Sequence, residues 1–176
     1  MSSPLLHAGP AVGWDTPFEM LLACHERVER MLGLLERLAA HLAAHGIDAN
    51  ARQAAQDVLR YFDLAGPAHH EDEERHLFPR LAERGGAAAA LAQRLHADHL
   101  AMSQQWAVVR TTLQAVAHGA PPHVLPDTAA WPAFAALYRS HIAAEEGEAY
   151  PAARALVDDA GLRAMGAEMA ARRGAR

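Results

Sequence analysis

Four stretches of this 176-residue chain carry apolar residues at intervals of three and four, and a histidine interrupts each of those seams. No other feature constrains the fold as much. Residues three and four apart line one face of a helix. A helix with a single narrow apolar face is stable only when that face is packed against others. The first seam holds Leu21, Val28, Leu32, Leu35, Ala39 and Leu42, with His25 set among them. Thr16-Pro17 predicts its start and Gly46 its stop. A second helical region spans about 51–81 and contains Gly66-Pro67, where a kink or restart is expected. After that pair, His70, Glu74, Leu77 or Phe78, and Leu81 read as one face. A third helix over about 87–117 carries Leu91, Leu95, His99, Met102, Trp106, Val109, Leu113 and Val116. A fourth begins near Asp127 or Thr128 and carries Phe134, Leu137, His141 and Glu145.

The expectation is an all-α protein, an antiparallel up-down-up-down four-helix bundle, with a short fifth helix near the C-terminus. The domain reading is a flexible segment over 1–15, a bundle over 16–155, and a C-terminal helix with a frayed, exposed tail over 156–176. Composition narrows the setting. Hydrophobic residues are 51% and charged residues 21%, a globular balance and not a disordered one. A net charge of −5 and the lack of a long basic run argue against a nucleic-acid partner. No window is long and apolar enough to span a membrane. The N-terminal stretch lacks the basic start and apolar core of a signal peptide. The single cysteine, Cys24, excludes an internal disulfide and suits a reducing compartment, so the expected location is the cytoplasm.

The seam histidines carry the chemistry. His70 and Glu74, and again His141 and Glu145, are four residues apart, one turn along a helix. A single seam histidine is ordinarily a core residue with its hydrogen bonds satisfied. Four histidines and two carboxylates buried together would be costly without a cation. Imidazole and carboxylate donors suit iron, manganese or zinc, and no cysteine cluster points to a thiolate site. Six donors exceed what one tetrahedral zinc needs, so two ions are the better count. His69 with Glu73 is a second pair, one residue out of register. It would face about 100° away from the His70 pair, so His69, Asp72, Glu73, Arg75 and His76 read as the solvated side. His96 lies about 60° from His99 and is a further candidate. The fourth-helix carboxylate is Glu145, or Glu146 if a π-bulge changes the spacing to five. Glu146 stands five residues before Pro151, as Glu74 does before Pro79. Glu73 and His76 make one E-x-x-H motif, and ferritin-like di-iron bundles need two.

In combination, "HHEDEERHLFP", "HIAAEEGEAYP", "HADH" and the upstream "CHERVE" resemble the hemerythrin-like, HHE cation-binding domains over roughly residues 16–155. The resemblance implies a four-helix bundle around a carboxylate-bridged pair of non-haem irons. Its implied ligands are His25, His70, Glu74, His99, His141 and Glu145, with Glu74 and Glu145 bridging. Glu71 follows His70 directly, as in the H-E-x-x-E form of some members, which makes it an additional ligand or a group supporting one. The oxygen carriers of this family place H-x-x-x-H on the third helix and H-x-x-x-x-D on the fourth. Here the third helix offers His96 and His99, three apart, and the fourth offers H-x-x-x-E. Fewer imidazoles and more carboxylates favour ferric iron. The expected role is therefore sensing or scavenging of oxygen, nitric oxide or peroxide, or iron handling, ahead of oxygen transport. A peroxide-consuming oxidoreductase, with Glu71 or a tyrosine as proton donor, and a structural bundle with one zinc or no metal are the alternatives.

Overall fold

The computed structural model describes residues 13–119, 121 and 125–174, so most of the N-terminal segment expected to be flexible lies outside the described residues. Helix α1 (Pro17–His45) follows Thr16 and ends at Gly46, whose N–H bonds the Leu42 carbonyl at 2.9 Å. Helix α2 (Ala49–His76) is capped by Asp48, whose carboxylate accepts from the Ala51 N–H at 2.8 Å. It runs through Pro67 as one helix, so the kink or restart expected at Gly66-Pro67 does not end it. Proline removes one backbone bond there, but Phe62, Gly66 and His69 are all buried on the same face and hold the helix on both sides.

The interruption falls later, at Leu77. Pro79 has no N–H for the carbonyl one turn back, and its ring crowds that carbonyl. The chain restarts as α3 (Phe78–Arg84) with Pro79 in the first turn. Gly85 and Gly86, at φ of 77° and 56°, supply the left-handed link that turns it into α4 (Gly86–His118). Helix α5 starts at Trp131, a few residues after the position expected from sequence, and runs to Ala144. A π-helical turn, Glu145–Ala149, joins it to α6 (Tyr150–Arg154), again with a proline, Pro151, in the first turn. Last comes α7 (Asp159–Arg172).

Helices α1, α2, α4 and α5 form the expected antiparallel four-helix bundle, with α5 closing against both α4 and α1. No described helix is long and apolar enough to cross a membrane. The apolar core is split in two. One cluster joins Val28, Leu32, Leu35, Phe62, Met102, Val109, Phe134 and Tyr138. The other joins Phe18, Leu21, Leu77, Phe78, Leu81, Leu95, Tyr150, Met165 and Met169. Each fully buried leucine contributes about 2 kcal/mol of transfer free energy. Between the clusters lies a polar layer, because each long helix exchanges an apolar seam residue for a histidine there: His25, His69, His99 and His141.

The end of the chain is fastened to the bundle. Met165 and Met169 of α7 complete the second cluster. A Cβ at Gly166 would lie 1.6 Å from the Trp14 carbonyl oxygen, so only glycine allows that crossing. Arg172 and Arg173, expected in an exposed frayed tail, instead converge on Asp72, which is completely buried. Arg173 also lies over the Trp14 ring, 5.5 Å from its centre. Asp72→Ala is expected to cost about 2 kcal/mol, because two arginines lose the carboxylate that holds them and part of that loss is recovered from water. Urea unfolding measures the loss, and trypsin should then cut α7 earlier than the bundle. Unchanged stability and unchanged cleavage order would show that α7 is held by its apolar face alone.

Candidate metal centre

The polar layer holds four histidines and two glutamates, all buried: His25, His69, Glu73, His99, His141 and Glu145. They make two overlapping sets of four donors, His25/His69/Glu73/Glu145 and Glu73/His99/His141/Glu145. Within each set the donor atoms lie within 4.8 Å of one another, and both glutamates belong to both sets. Helix α2 supplies His69 and Glu73, α5 and its π turn supply His141 and Glu145, and α1 and α4 supply one histidine each.

Neighbouring donors are spaced like the edges of a coordination shell. His69 Nε2 is 3.2 Å from Glu73 Oε1, and His141 Nε2 is 3.0 Å from Glu145 Oε1. His25 Nε2 is 3.2 Å from Glu145 Oε2, and His99 Nε2 is 3.4 Å from Glu73 Oε2. Bonds of about 2.1 Å to a common ion give donor–donor edges of about 3.0 Å in an octahedron and about 3.4 Å in a tetrahedron.

The outer nitrogens decide what the inner ones present. His25 donates its Nδ1–H to Glu146 at 2.9 Å. His99 donates its Nδ1–H to Glu74 at 2.8 Å, and His141 donates its own to Asp98 at 3.3 Å. A ring that donates from Nδ1 turns a bare Nε2 lone pair inward when neutral. His99 Nε2 and His141 Nε2 then face each other at 3.1 Å with no proton between them. Glu73 Oε2 and both oxygens of Glu145 have no hydrogen-bond partner. Inward-facing lone pairs and orphaned carboxylate oxygens are what a cation satisfies. Carboxylates on the outer nitrogens also fix ring orientation and make the rings better donors. The residues present fit a pair of metal ions.

Charges in the site respond to this crowding. Burial and the neighbouring Glu73 charge push Glu145 up to about 8. Burial opposes a charge on His69, but Glu73 and Cys24 outweigh it and hold the ring well above the usual histidine value. Burial also opposes ionisation of Glu73, yet His69 and His99 keep it well below the usual carboxylate range. Burial lowers His70 and His141.

The sequence-expected residues divide as follows. His25, His99, His141 and Glu145 lie in the cluster. His70 and Glu74 do not join either donor set, and their places are taken by His69 and Glu73, which the sequence pattern puts on the solvated side. His70 instead stacks on His99, with ring centres 3.9 Å apart, and faces a cleft of about 210 Å³ lined also by Glu74, Met102, Trp106 and Tyr138. Glu74 and Glu146 are the carboxylates behind His99 and His25. Glu71 is half-exposed and paired with Arg75 and Arg172. His96 is half-exposed, 3.4 Å from Glu74.

The shift on α2 has a physical cause. Counting back from Leu77, Phe78 and Leu81 carries the helical phase across the interruption at Leu77, where it is lost. Counting forward from Val58 and Phe62 reaches Gly66, His69 and Glu73. A second signal gives the same answer: His69 stands ten residues before Pro79, and His141 ten before Pro151. A π turn does occur on the fourth helix, but it begins at Glu145, after the His141–Glu145 turn is complete. Glu145 therefore keeps the inward position.

The family model of the hemerythrin HHE cation-binding domain matches residues 16–153. The chain belongs to that family. A protein of Haemophilus influenzae, itself described only as uncharacterized, is 32% identical over 101 residues. That match covers 57% of this chain and 59% of the relative.

Metal-free protein should lose stability as pH rises from about 6 to about 8.5. Glu145 and His69 both hold protons in the folded state that the unfolded chain releases at lower pH, so unfolding is favoured as those protons leave. Thermal melts of chelator-treated protein check the slope, which Glu145→Gln should flatten. A melting temperature that climbs over this interval would contradict the charge assignment.

Proposed function

We propose that the cluster holds two non-haem metal ions, iron in the first instance, bridged by Glu73 and Glu145. His25 and His69 would complete one position, and His99 and His141 the other. The reading rests on one observation: two four-donor sets share both glutamates. A lone tetrahedral zinc would use only one set and leave the other pair of rings unpaired. Iron there would supply one-electron chemistry toward oxygen, nitric oxide or peroxide, in keeping with a sensing, scavenging or iron-handling role.

The protein's own part is to hold that chemistry in a dry layer. Leu21, Leu77, Leu81 and Leu95 seal one side of the centre, and Val28, Phe62 and Met102 the other. The cleft beside His70 gives a small molecule a way toward His99. Glu71, half-exposed and paired with Arg75 and Arg172, lines the same cleft.

Elemental analysis of protein loaded with iron without oxygen should find about two ions per chain. His69→Ala and His141→Ala should each retain about one, and Glu73→Ala should retain neither firmly. His70→Ala should retain both. Loss of metal on His70→Ala with retention on His69→Ala would favour the His70/Glu74 register instead. Rapid, repeated peroxide consumption by the loaded protein would move the reading from sensor to enzyme.

A further inference from the structure

The two metal positions are built from equivalent parts of the chain, yet one part differs. Phe78-Pro79 follows Glu73 as Tyr150-Pro151 follows Glu145, each aromatic residue nine positions after its histidine. Each aromatic leans on the lone histidine of another helix. Phe78 lies 5.3 Å from the His99 ring centre, and Tyr150 stacks on His25 at 5.2 Å. Phe78 brings only a hydrocarbon ring. Tyr150 brings a hydroxyl into the centre itself, and its side chain is nearly completely buried.

That hydroxyl has one proton and two neighbours that want it. It donates to Glu73 Oε1, and its oxygen also lies 3.0 Å from His25 Nε2. His25 already donates from Nδ1 to Glu146, so its Nε2 turns a lone pair toward the phenol oxygen. With the ring neutral, two lone pairs at that separation repel unless a proton or a metal ion lies beside both. The spacing also equals the edge of about 3 Å between neighbouring donors on an ion with bonds of about 2.1 Å. Hence the same frustration that marks His99 and His141 as a donor pair marks His25 and Tyr150.

We propose that Tyr150 is a fifth protein ligand to the ion held by His25 and His69, bound as phenolate, and that the His99/His141 position has no counterpart. This rests on the two-ion reading above. On loading, the phenolic proton leaves to solvent as the oxygen–metal bond forms, with no change of oxidation state. The consequence is a centre with unequal halves. The His25/His69 ion is closed in by a bulky anionic ligand and favours the trivalent state. The His99/His141 ion, on the cleft side, keeps the room for an incoming small molecule.

The chain has three tyrosines, Tyr61, Tyr138 and Tyr150, so the signal can be assigned. Ferric protein should show a phenolate-to-iron absorption band in the visible and tyrosinate modes in its resonance Raman spectrum. Tyr150→Phe should abolish both while elemental analysis still finds about two ions per chain. Tyr61→Phe, at a hydroxyl that donates to the Cys24 carbonyl, should keep both. Loading with redox-inert Ga³⁺ should ionise a tyrosine in the wild type and in Tyr61→Phe, seen in the ultraviolet difference spectrum, and not in Tyr150→Phe. Wild-type protein with its full metal content but no tyrosinate signature would overturn the assignment and leave the two-ion reading standing. A band that persists in Tyr150→Phe would overturn it in the same way. Wild-type protein that takes up no metal would remove both.

Discussion

Glu73 and Glu145 are the constraint on which the rest of this structure depends. Both are fully buried at the middle of a bundle, within one coordination shell of each other. Two carboxylates so placed resist ionising together, and burial with the Glu73 charge accordingly pushes Glu145 up to about 8. Filling this layer with leucine would have joined the two apolar clusters into one core. The chain has given up that stabilisation at a histidine on each of four helices, a loss that positive charge between the glutamates would offset. The polar layer is thus a binding site in its thermodynamics as well as in its donor set.

Consecutive residues divide the labour. At each paired glutamate, the first faces the centre and the second supports a histidine of another helix: Glu74 behind His99 and Glu146 behind His25. The residue before one of the lone histidines does the corresponding task for a paired helix. Asp98 accepts from His141, while Cys24 stands near His69, whose Nδ1 has no hydrogen-bond partner. Helix α2, helix α4 and the π turn after α5 therefore each brace a ring that another helix supplies. The geometry of the centre is then a property of the whole bundle, and loosening one helix disturbs side chains on two. Asp72 extends this outward, since it lies next to Glu73 and anchors Arg172 and Arg173 of the last helix.

Sequence periodicity makes the helices, the bundle and four of the six residues of the central cluster legible, because those features repeat within unbroken helices. It fails on α2 for a local reason. Leu77, Phe78 and Leu81, which set the apparent phase of that helix, lie at or beyond the interruption that Pro79 enforces. A one-residue error moves a side chain by about 100°, enough to exchange His69 and Glu73 for His70 and Glu74. The adjacent glutamates make the two registers look alike, and only packing against Phe62 and Gly66 separates them. The fastening of Arg172 and Arg173 is illegible for another reason, since their partner lies about a hundred residues away and inside a charge run.

The interruptions that spoil the phase also shape the centre. An unbroken α-helix after Glu145 would set Tyr150 five residues on, about 140° around the axis and directed away from the carboxylate. The π turn over Glu145–Ala149 places an i→i−5 bond between the Tyr150 N–H and the Glu145 carbonyl. That widened turn brings the tyrosine back toward the face that Glu145 occupies, where its hydroxyl meets Glu73 and His25. On α2 the same adjustment is made by breaking the helix at Leu77, which returns Phe78 to the face of His99. Proline therefore serves each half of the centre in the same way, through an irregular turn that recovers the phase an α-helix would lose. The recovered residues differ in what they carry: a hydrocarbon ring beside His99, and a hydroxyl beside His25 and Glu73.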